Sequence, residues 1–236
     1  LYRVQSSASE IDVSVSDEHL LTETRTQIAV SQLAAPQVLE FTDFSGTDDT
    51  LGAGDLIVHV GTWASGTFTA DADLSAQIIT LDADTTLSDL TGKLNALNGV
   101  YAQVVDKGDG TFSLSLLSET GASNALRITA SNTALSALDT TNGSNEVSAA
   151  QNAQLQVNGI SVQRATNVLT DVIPGAEITL RGTMSVSQSV NVQKDVDDAK
   201  ASLDALLSQI NALRSYIDTT TRRGVNGSEP GPLAGD

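Results

Sequence analysis

Apolar and polar residues alternate in short runs along most of the chain up to residue 193. Because successive side chains of a strand point to opposite faces, this period of two predicts half-buried β-strands. Turn sequences separate the runs, and two of them predict hairpins: the Gly-containing residues 107–110 and the pair Asn158-Gly159. The runs with this period are 11–15, 26–33, 55–60, 111–116, 154–157, 160–162, 177–180 and 186–192.

Two short segments depart from this period and predict helices. In the first, Thr86 with Asp89 predicts a capping box at the start and Gly99 predicts the end. The second pattern is weaker and predicts a helix over residues 167–173, stopped by Pro174. Each helix follows two strands and precedes a third, which indicates two related β-rich modules. The first helix carries its apolar residues on one face, at Leu87, Leu90, Leu94 and Leu97.

Beyond residue 193 the apolar spacing alternates between three and four, the a/d pattern of a coiled coil or helical bundle. It predicts a helix over about residues 194–218, followed by a Gly- and Pro-containing loop over 219–236. An apolar seam needs cover, so we expect a partner helix in another chain or in a part of the protein outside these residues. The seam pattern fits packing within one molecule and assembly between molecules equally well. The seam, our candidate functional site, consists of Val196, Ala199, Leu203, Leu206, Ile210, Leu213 and Ile217.

The chain is strongly acidic, with 12 Lys and Arg against 29 Asp and Glu and a formal net charge of −17. We expect no nucleic-acid partner, because binding to phosphate backbones depends on Lys and Arg. The charge is uneven: residues 41–147 hold fourteen acidic and three basic residues, a net of −11. No apolar run approaches the roughly 20 residues that span a bilayer, so we also expect no membrane insertion.

Catalytic and metal-binding patterns are weak. The sequence has no Cys and no Gly-x-Ser-x-Gly, and its two histidines are His19, in a polar stretch, and His59, at a predicted strand surface. Residues 71–73 and 82–84 repeat Asp-Ala-Asp, a spacing found in calcium loops, but neither completes the calcium-loop pattern. A solvated acidic surface is the favoured interpretation. We therefore predict no enzyme activity, no catalytic residue, no cofactor and no metal.

Several short motifs follow one another along the chain. Residues 26–34 read TQIAVSQLA, and residues 87–122 carry LSDL, VYAQV, GTFSL and SETGA in succession. Further motifs lie at residues 150–160, 210–213 and 231–236. In this order and spacing, the motifs resemble an early strand, a flagellin-type block, the start of the second β unit and the helix-and-loop segment of the hook-associated protein 2 family of flagellar filament caps.

The resemblance implies an α+β fold, mainly β, with two β-rich head domains and a helical leg. One head domain is expected to be discontinuous, over residues 1–40 and 148–193. The second is expected to be inserted in it, over residues 41–147, the acidic stretch. A leg segment with its terminal loop is expected over 194–236.

The same resemblance implies a structural protein that forms a homo-oligomeric ring at the tip of the bacterial flagellum. Flagellin and the proteins of the hook–filament junction are the implied partners. The alternative is an extracellular adhesin or carbohydrate-binding β module, with host glycans or mucin as partners. The resemblance also implies an extracellular location at the tip of the flagellum. The first residues lack a basic region followed by an apolar one, so we expect export without a cleavable signal peptide.

Overall fold

The computed structural model describes residues 2–141, 145–222 and 231–232. Its strands are β1 Tyr2–Ser6, β2 Ile11–Val15, β3 Thr24–Gln32, β4 Pro36–Phe44, β5 Gly54–Ala64, β6 Thr67–Ala70, β7 Gln77–Leu81, β8 Val100–Asp106, β9 Phe112–Thr120, β10 Ala125–Ala130, β11 Glu146–Ser148, β12 Ala153–Val157, β13 Ile160–Arg164, β14 Val168–Leu169, β15 Ala176–Leu180 and β16 Gln188–Lys194. The α-helices are α1 Leu87–Asn95 and α2 Val196–Thr221, and short 3-10 helices lie at Glu18–Leu20, Ala122–Asn124 and Thr133–Leu138. The predicted α+β class, mainly β with a C-terminal helix, is confirmed.

The strands form four antiparallel sheets, whose buried faces enclose two hydrophobic cores. One core, here core A, contains buried residues from Leu39 to Leu138. The other, core B, draws its buried residues from the stretches 11–34 and 153–192. The chain therefore builds part of core B, then all of core A, and then returns to core B. In spatial order the sheets are β11-β4-β9-β8, β10-β5-β6 with β7 also on β5, β1-β16-β3-β12-β13, and β14-β15-β2.

Both predicted hairpins are present. β8 and β9 pair antiparallel across residues 107–111, and β12 and β13 pair across Asn158-Gly159. Asn158 has a φ of 51° and Gly159 a φ of 84°, the left-handed conformation that a tight two-residue hairpin requires. The backbone N–H of Gln27 also donates to the Asn158 carboxamide oxygen at 2.8 Å, which fixes this turn beside β3.

Helix α1 forms where the leucine spacing predicts it and packs against core A. Leu87, Leu90 and Leu94 are buried. The predicted capping box is present: the Thr86 hydroxyl accepts from the Asp89 N–H at 3.1 Å, and the Asp89 carboxylate accepts from the Thr86 N–H at 3.0 Å. These bonds satisfy two backbone donors that a helix start leaves without partners.

The predicted helix over residues 167–173 is wrong. Val168–Leu169 instead forms β14, which pairs with β15. The Asn167 side chain explains the difference, since its Oδ1 accepts from the Ala34 N–H at 2.8 Å and its Nδ2 donates to the Ala34 carbonyl at 2.9 Å. These contacts, made over 133 positions of sequence, hold the segment extended and override its weak helical pattern.

The bounds of the last helix also differ from the prediction. Lys194 belongs to β16 and pairs with Tyr2, so α2 begins only at Val196. At the other end α2 extends through residues 219–221, which were predicted as loop. The hydroxyls of Thr219 and Thr221 each donate to the carbonyl four residues earlier, at 2.7 Å, as threonines inside a helix do. The predicted loop over 223–230 and 233–236 lies outside the described residues.

The capping box predicts a pH-dependent contribution to stability. Hydrogen bonds from the Thr86 backbone N–H and then its hydroxyl lower the pKa of Asp89 below its usual 3.8. The contribution of the ionised Asp89 to the free energy of unfolding is therefore fully present above pH 3.8. It is lost as the pH falls through the lower pKa that Asp89 has in the folded protein. Thr86→Ala should destabilise the protein by about 0.5–2 kcal/mol and raise the pKa of Asp89, measured by urea unfolding and a carboxyl NMR titration. The exposed Ser88→Ala is the control, and an unmoved Asp89 titration in Thr86→Ala would contradict the capping role.

A buried amide predicts a second effect on stability. Gln37 is 1% exposed, its Oε1 accepts from the Leu126 N–H at 2.7 Å, and its Nε2 donates to the Glu146 carboxylate at 2.6 Å. Gln37→Leu removes the hydrogen-bond partner of the Leu126 N–H and of the Glu146 carboxylate. We therefore expect the free energy of unfolding, measured with urea, to fall by about 1–3 kcal/mol. The same substitution at the exposed Gln156 of β12 should change stability by less than about 0.5 kcal/mol. Equal effects of the two variants would show that the Gln37 hydrogen bonds contribute nothing specific.

Candidate functional site

The seam residues fall within α2, and their spacings of three and four place them on one face of the helix. With 26 residues the helix is about 39 Å long, and spacings of three and four repeat along its whole length. Each seam side chain is exposed in the chain described here. The exposed fractions of the larger ones are 67% for Val196, 56% for Leu203, 52% for Leu206, 52% for Ile210, 60% for Leu213 and 51% for Ile217.

Two further apolar side chains widen the seam, and the sequence analysis missed both. Leu207 is 49% exposed and Tyr216 is 66% exposed. In heptad terms they occupy the e and g positions, which flank the a/d line on opposite sides. The signal was available, because Leu207 follows Leu203 by four residues and Tyr216 follows Leu213 by three.

Charge is distributed unequally beside the seam. On one side, Lys200 and Arg214 occupy e positions. Asp204 and Asp218 follow them by four residues, at the neighbouring b positions. The opposite side presents the uncharged Ser202 and Gln209 before Tyr216. A partner element that packs on α2 therefore meets mixed charges along one border and neutral polar groups along the other, which restricts its orientation.

The helix receives no cover from the two cores. Among the described residues of α2, Thr220 is buried and lies near the end of the helix. Just beyond the helix, the Gly231 N–H donates to the Arg222 carbonyl at 2.9 Å. Most helix stability in proteins comes from packing of the apolar face, and isolated helices are marginal in water. The seam is thus a large apolar surface that requires a partner.

The remaining candidate groups do not converge on a reactive centre. His59 lies on β5 opposite Arg127, whereas His19 lies in a 3-10 helix beside core B. The Asp71 carboxylate accepts from the Asp73 N–H at 2.9 Å, a turn contact that accounts for this pair of acids. Within residues 2–141, 145–222 and 231–232, no three His, Asp or Glu side chains are placed to hold a metal ion.

Among the described helices, none combines the length and the apolar character needed to cross a bilayer. α2 is long enough, but its polar face carries acidic and basic residues along its whole length. Its apolar side chains form a stripe instead of a full apolar cylinder, as in a helix that packs against another helix.

Comparison with known proteins is consistent with this picture. Residues 150–236, which include β12 to α2, match the family described as flagellar hook-associated protein 2 C-terminus. Flagellar hook-associated protein 2 of Salmonella typhimurium is 33% identical over 162 residues, which covers 65% of this chain and 34% of the relative. The A-type flagellar hook-associated protein 2 of Pseudomonas aeruginosa is 24% identical over 94% of this chain and 51% of its own length. The chain spans about a third of the length of the Salmonella relative.

Solved structures share the fold. The D1-D2-D3 domains of the flagellar cap protein FliD from Escherichia coli superpose with a TM-score of 0.71, at 24% identity, over 93% of this chain and 73% of theirs. FliD from Pseudomonas aeruginosa superposes with a TM-score of 0.67, at 21% identity, over 92% of this chain and 99% of its own. Residues 150–236 thus match the family of the flagellar hook-associated protein 2 C-terminus, and the chain as a whole shares the fold of the flagellar cap protein FliD.

Proposed function

We propose that this chain forms the head and part of the leg of a flagellar filament cap. Copies of the protein self-associate at the filament tip through the seam of α2, and the cap promotes folding and insertion of exported flagellin. One observation carries the proposal: α2 presents a continuous apolar seam that neither core covers, in a chain related to cap proteins. The proposed location is the outer end of the flagellum, reached by export.

The seam supplies enough apolar surface for association. Full burial of a Leu, Ile or Val side chain contributes about 1.5–3 kcal/mol, and the larger seam residues are about half exposed. Their burial would contribute roughly 1 kcal/mol each, or about 6 kcal/mol along one helix. Part of this burial free energy offsets the entropy that is lost when molecules associate. An assembly of several helices buries more of each seam than a pair does, so it is stable more readily.

We propose that cores A and B correspond to the two head domains, one inserted in the other. The split of core B into 11–34 and 153–192, with core A between them, supports this nesting. Strand β4 crosses the predicted boundary at residues 40 and 41, and Leu39 and Phe41 lie in the same core. The inserted unit therefore fits residues 36–148 better than 41–147.

The acidic charge suits this arrangement. The stretch 41–147, with its net charge of −11, supplies most of the negative charge of the chain. When copies gather through their helices, like charges on neighbouring heads disfavour nonspecific contact and keep the assembly soluble. The absence of Cys also suits a chain exported unfolded, since no thiol needs oxidation on the way.

A structural role without catalysis is part of the proposal, because the relatives are named as cap and hook-associated proteins. The adhesin or carbohydrate-binding alternative is not favoured by these comparisons. A seam that requires protein cover and a family match over β12 to α2 both point to assembly.

Leu206→Asp tests the seam. Because Leu206 is 52% exposed in the single chain and lies outside both cores, the variant should keep the fold of its β-sheets. In the assembly it places a charge in an apolar seam, so self-association of the whole protein should weaken by at least about tenfold. Sedimentation velocity over a concentration series measures this.

Ser208→Asp is the matched control, because it adds the same charge two residues further on, about 200° around the helix. It should leave assembly unchanged. An unaltered oligomeric state in Leu206→Asp, or an equal loss in both variants, would refute the seam as the assembly surface.

A further inference from the structure

A cavity beside core A is lined by both of the sheets that enclose this core, and the proposed function does not involve it. Its volume is about 380 Å³, near the lower end of the range for small-molecule sites. Its apolar floor contains Leu39 of β4 and Leu126 of β10, which are 2% and 1% exposed. Trp63 of β5 and Glu146 of β11 also line it. The cavity thus brings an aromatic ring and a carboxylate together over an apolar floor.

The backbone of Leu126 positions both of these groups. Its carbonyl accepts from the Trp63 indole Nε1 at 3.3 Å, and its N–H donates to the Gln37 Oε1 at 2.7 Å. Gln37 is buried, and its Nε2 donates to the Glu146 Oε2 at 2.6 Å. In the described part of the chain, no group bonds the other carboxylate oxygen, Oε1. The ring and the carboxylate are therefore held in place before any ligand binds, which lowers the entropy cost of binding.

The aromatic rings beside the cavity already bind one cation. The Arg127 guanidinium lies over the Phe68 ring, 4.9 Å from its centroid. Phe68 in turn meets Trp63 edge to face, with 5.2 Å between the ring centroids. Trp attracts cations more strongly than Phe or Tyr does, and the described residues that line the cavity include no Lys or Arg. The Trp63 ring can therefore take a cation that comes from outside the chain.

We propose that this cavity binds an alkylammonium group, a positively charged nitrogen on a short apolar stem. The nitrogen pairs with the Glu146 Oε1 and lies against the Trp63 ring, while the stem contacts the apolar floor. An anion is disfavoured, because Glu146 is the ionisable side chain among the described lining residues. The net charge of −11 over residues 41–147 also attracts cations to this part of the chain.

A neutral sugar matches the cavity less well, although sugars also stack on aromatic rings. Its hydroxyl groups need several donors and acceptors around the ring. The polar lining side chains of Gln37 and Thr140 already bond other groups of the protein. An alkylammonium group needs one carboxylate, an aromatic ring and an apolar wall, which are the groups that this cavity offers.

The chain has one Trp, so the fluorescence of Trp63 reports on the cavity directly. The probe is butylammonium, and butanol and butyrate have the same stem with a different charge. Titrated into the whole protein at constant ionic strength, butylammonium should give a saturable change in emission. Its affinity should exceed that of butanol and butyrate at least about tenfold. Equal responses to all three probes, or a saturable response to glucose and not to butylammonium, would overturn the proposal.

Glu146→Gln tests the carboxylate. The new amide keeps an oxygen that can accept from Gln37, so the fold should persist, but the charge is lost. The affinity for butylammonium should fall about tenfold. Glu119→Gln is the matched control, because it removes the same charge from an exposed glutamate outside this cavity. Equal losses in the two variants would indicate only the general attraction of an acidic chain for cations, and would overturn the site.

Trp63→Leu tests the ring by a different readout, since it also removes the fluorophore. A ligand that binds only the folded state raises the thermal unfolding midpoint. Saturating butylammonium should therefore raise the midpoint of the unaltered protein and leave that of Trp63→Leu at its own ligand-free value. An equal rise in both proteins would contradict a role for the ring.

A free amine and a lysine side chain of another protein present the same group. Nα-acetyl-lysine methylamide separates these sources. If it binds as tightly as butylammonium, the site takes a lysine side chain; if butylammonium alone binds, the site takes a free amine. Neither measurement involves α2 or self-association, so the result is independent of the response to Leu206→Asp.

Discussion

Most strands and both α-helices of this chain have one apolar side, and the need to cover that side governs the whole arrangement. The strands bury one face in core A or core B, and α1 covers part of core A with its three leucines. Among the described residues α2 has no such cover, and its larger apolar side chains stay about half exposed or more. The hydrophobic effect thus closes the two cores within one molecule and leaves an apolar stripe uncovered on α2.

The two cores are joined through polar contacts that need no large interface. Ala35 and Gln151 exchange backbone hydrogen bonds of 3.0 Å in both directions, where the chain leaves core B and returns to it. The Asn167 side chain then binds both backbone groups of Ala34. The Asn152 carboxamide oxygen accepts from the Ala122 N–H at 2.9 Å, which ties the returning chain to the end of β9. Backbone groups that would otherwise be left without partners are satisfied, and the crossing is held in one geometry.

Local patterns predicted most of the strands, both hairpins, the α1 capping box and the long C-terminal helix. These features depend on residues within about ten positions of one another, so the sequence displays them directly. Other features depend on long-range contacts. The residues 167–173 were misassigned because the Asn167–Ala34 contact cannot be seen in a local window. The pairing of Tyr101 with Leu117, and of Leu117 with Val38, likewise follows from the strand register and not from any local pattern.

The adjacent crossings at Ala35 and Gln151 have a consequence for how such nested units can diversify. The whole stretch between them leaves and re-enters core B at one backbone bridge, so its two ends are already side by side. Domains with adjacent ends can be inserted or exchanged with little disturbance to their host. Core B and α2 can therefore stay constant while the unit between residues 36 and 150 changes in size or surface. A lineage could alter the surface of the inserted unit without redesigning the unit that carries it.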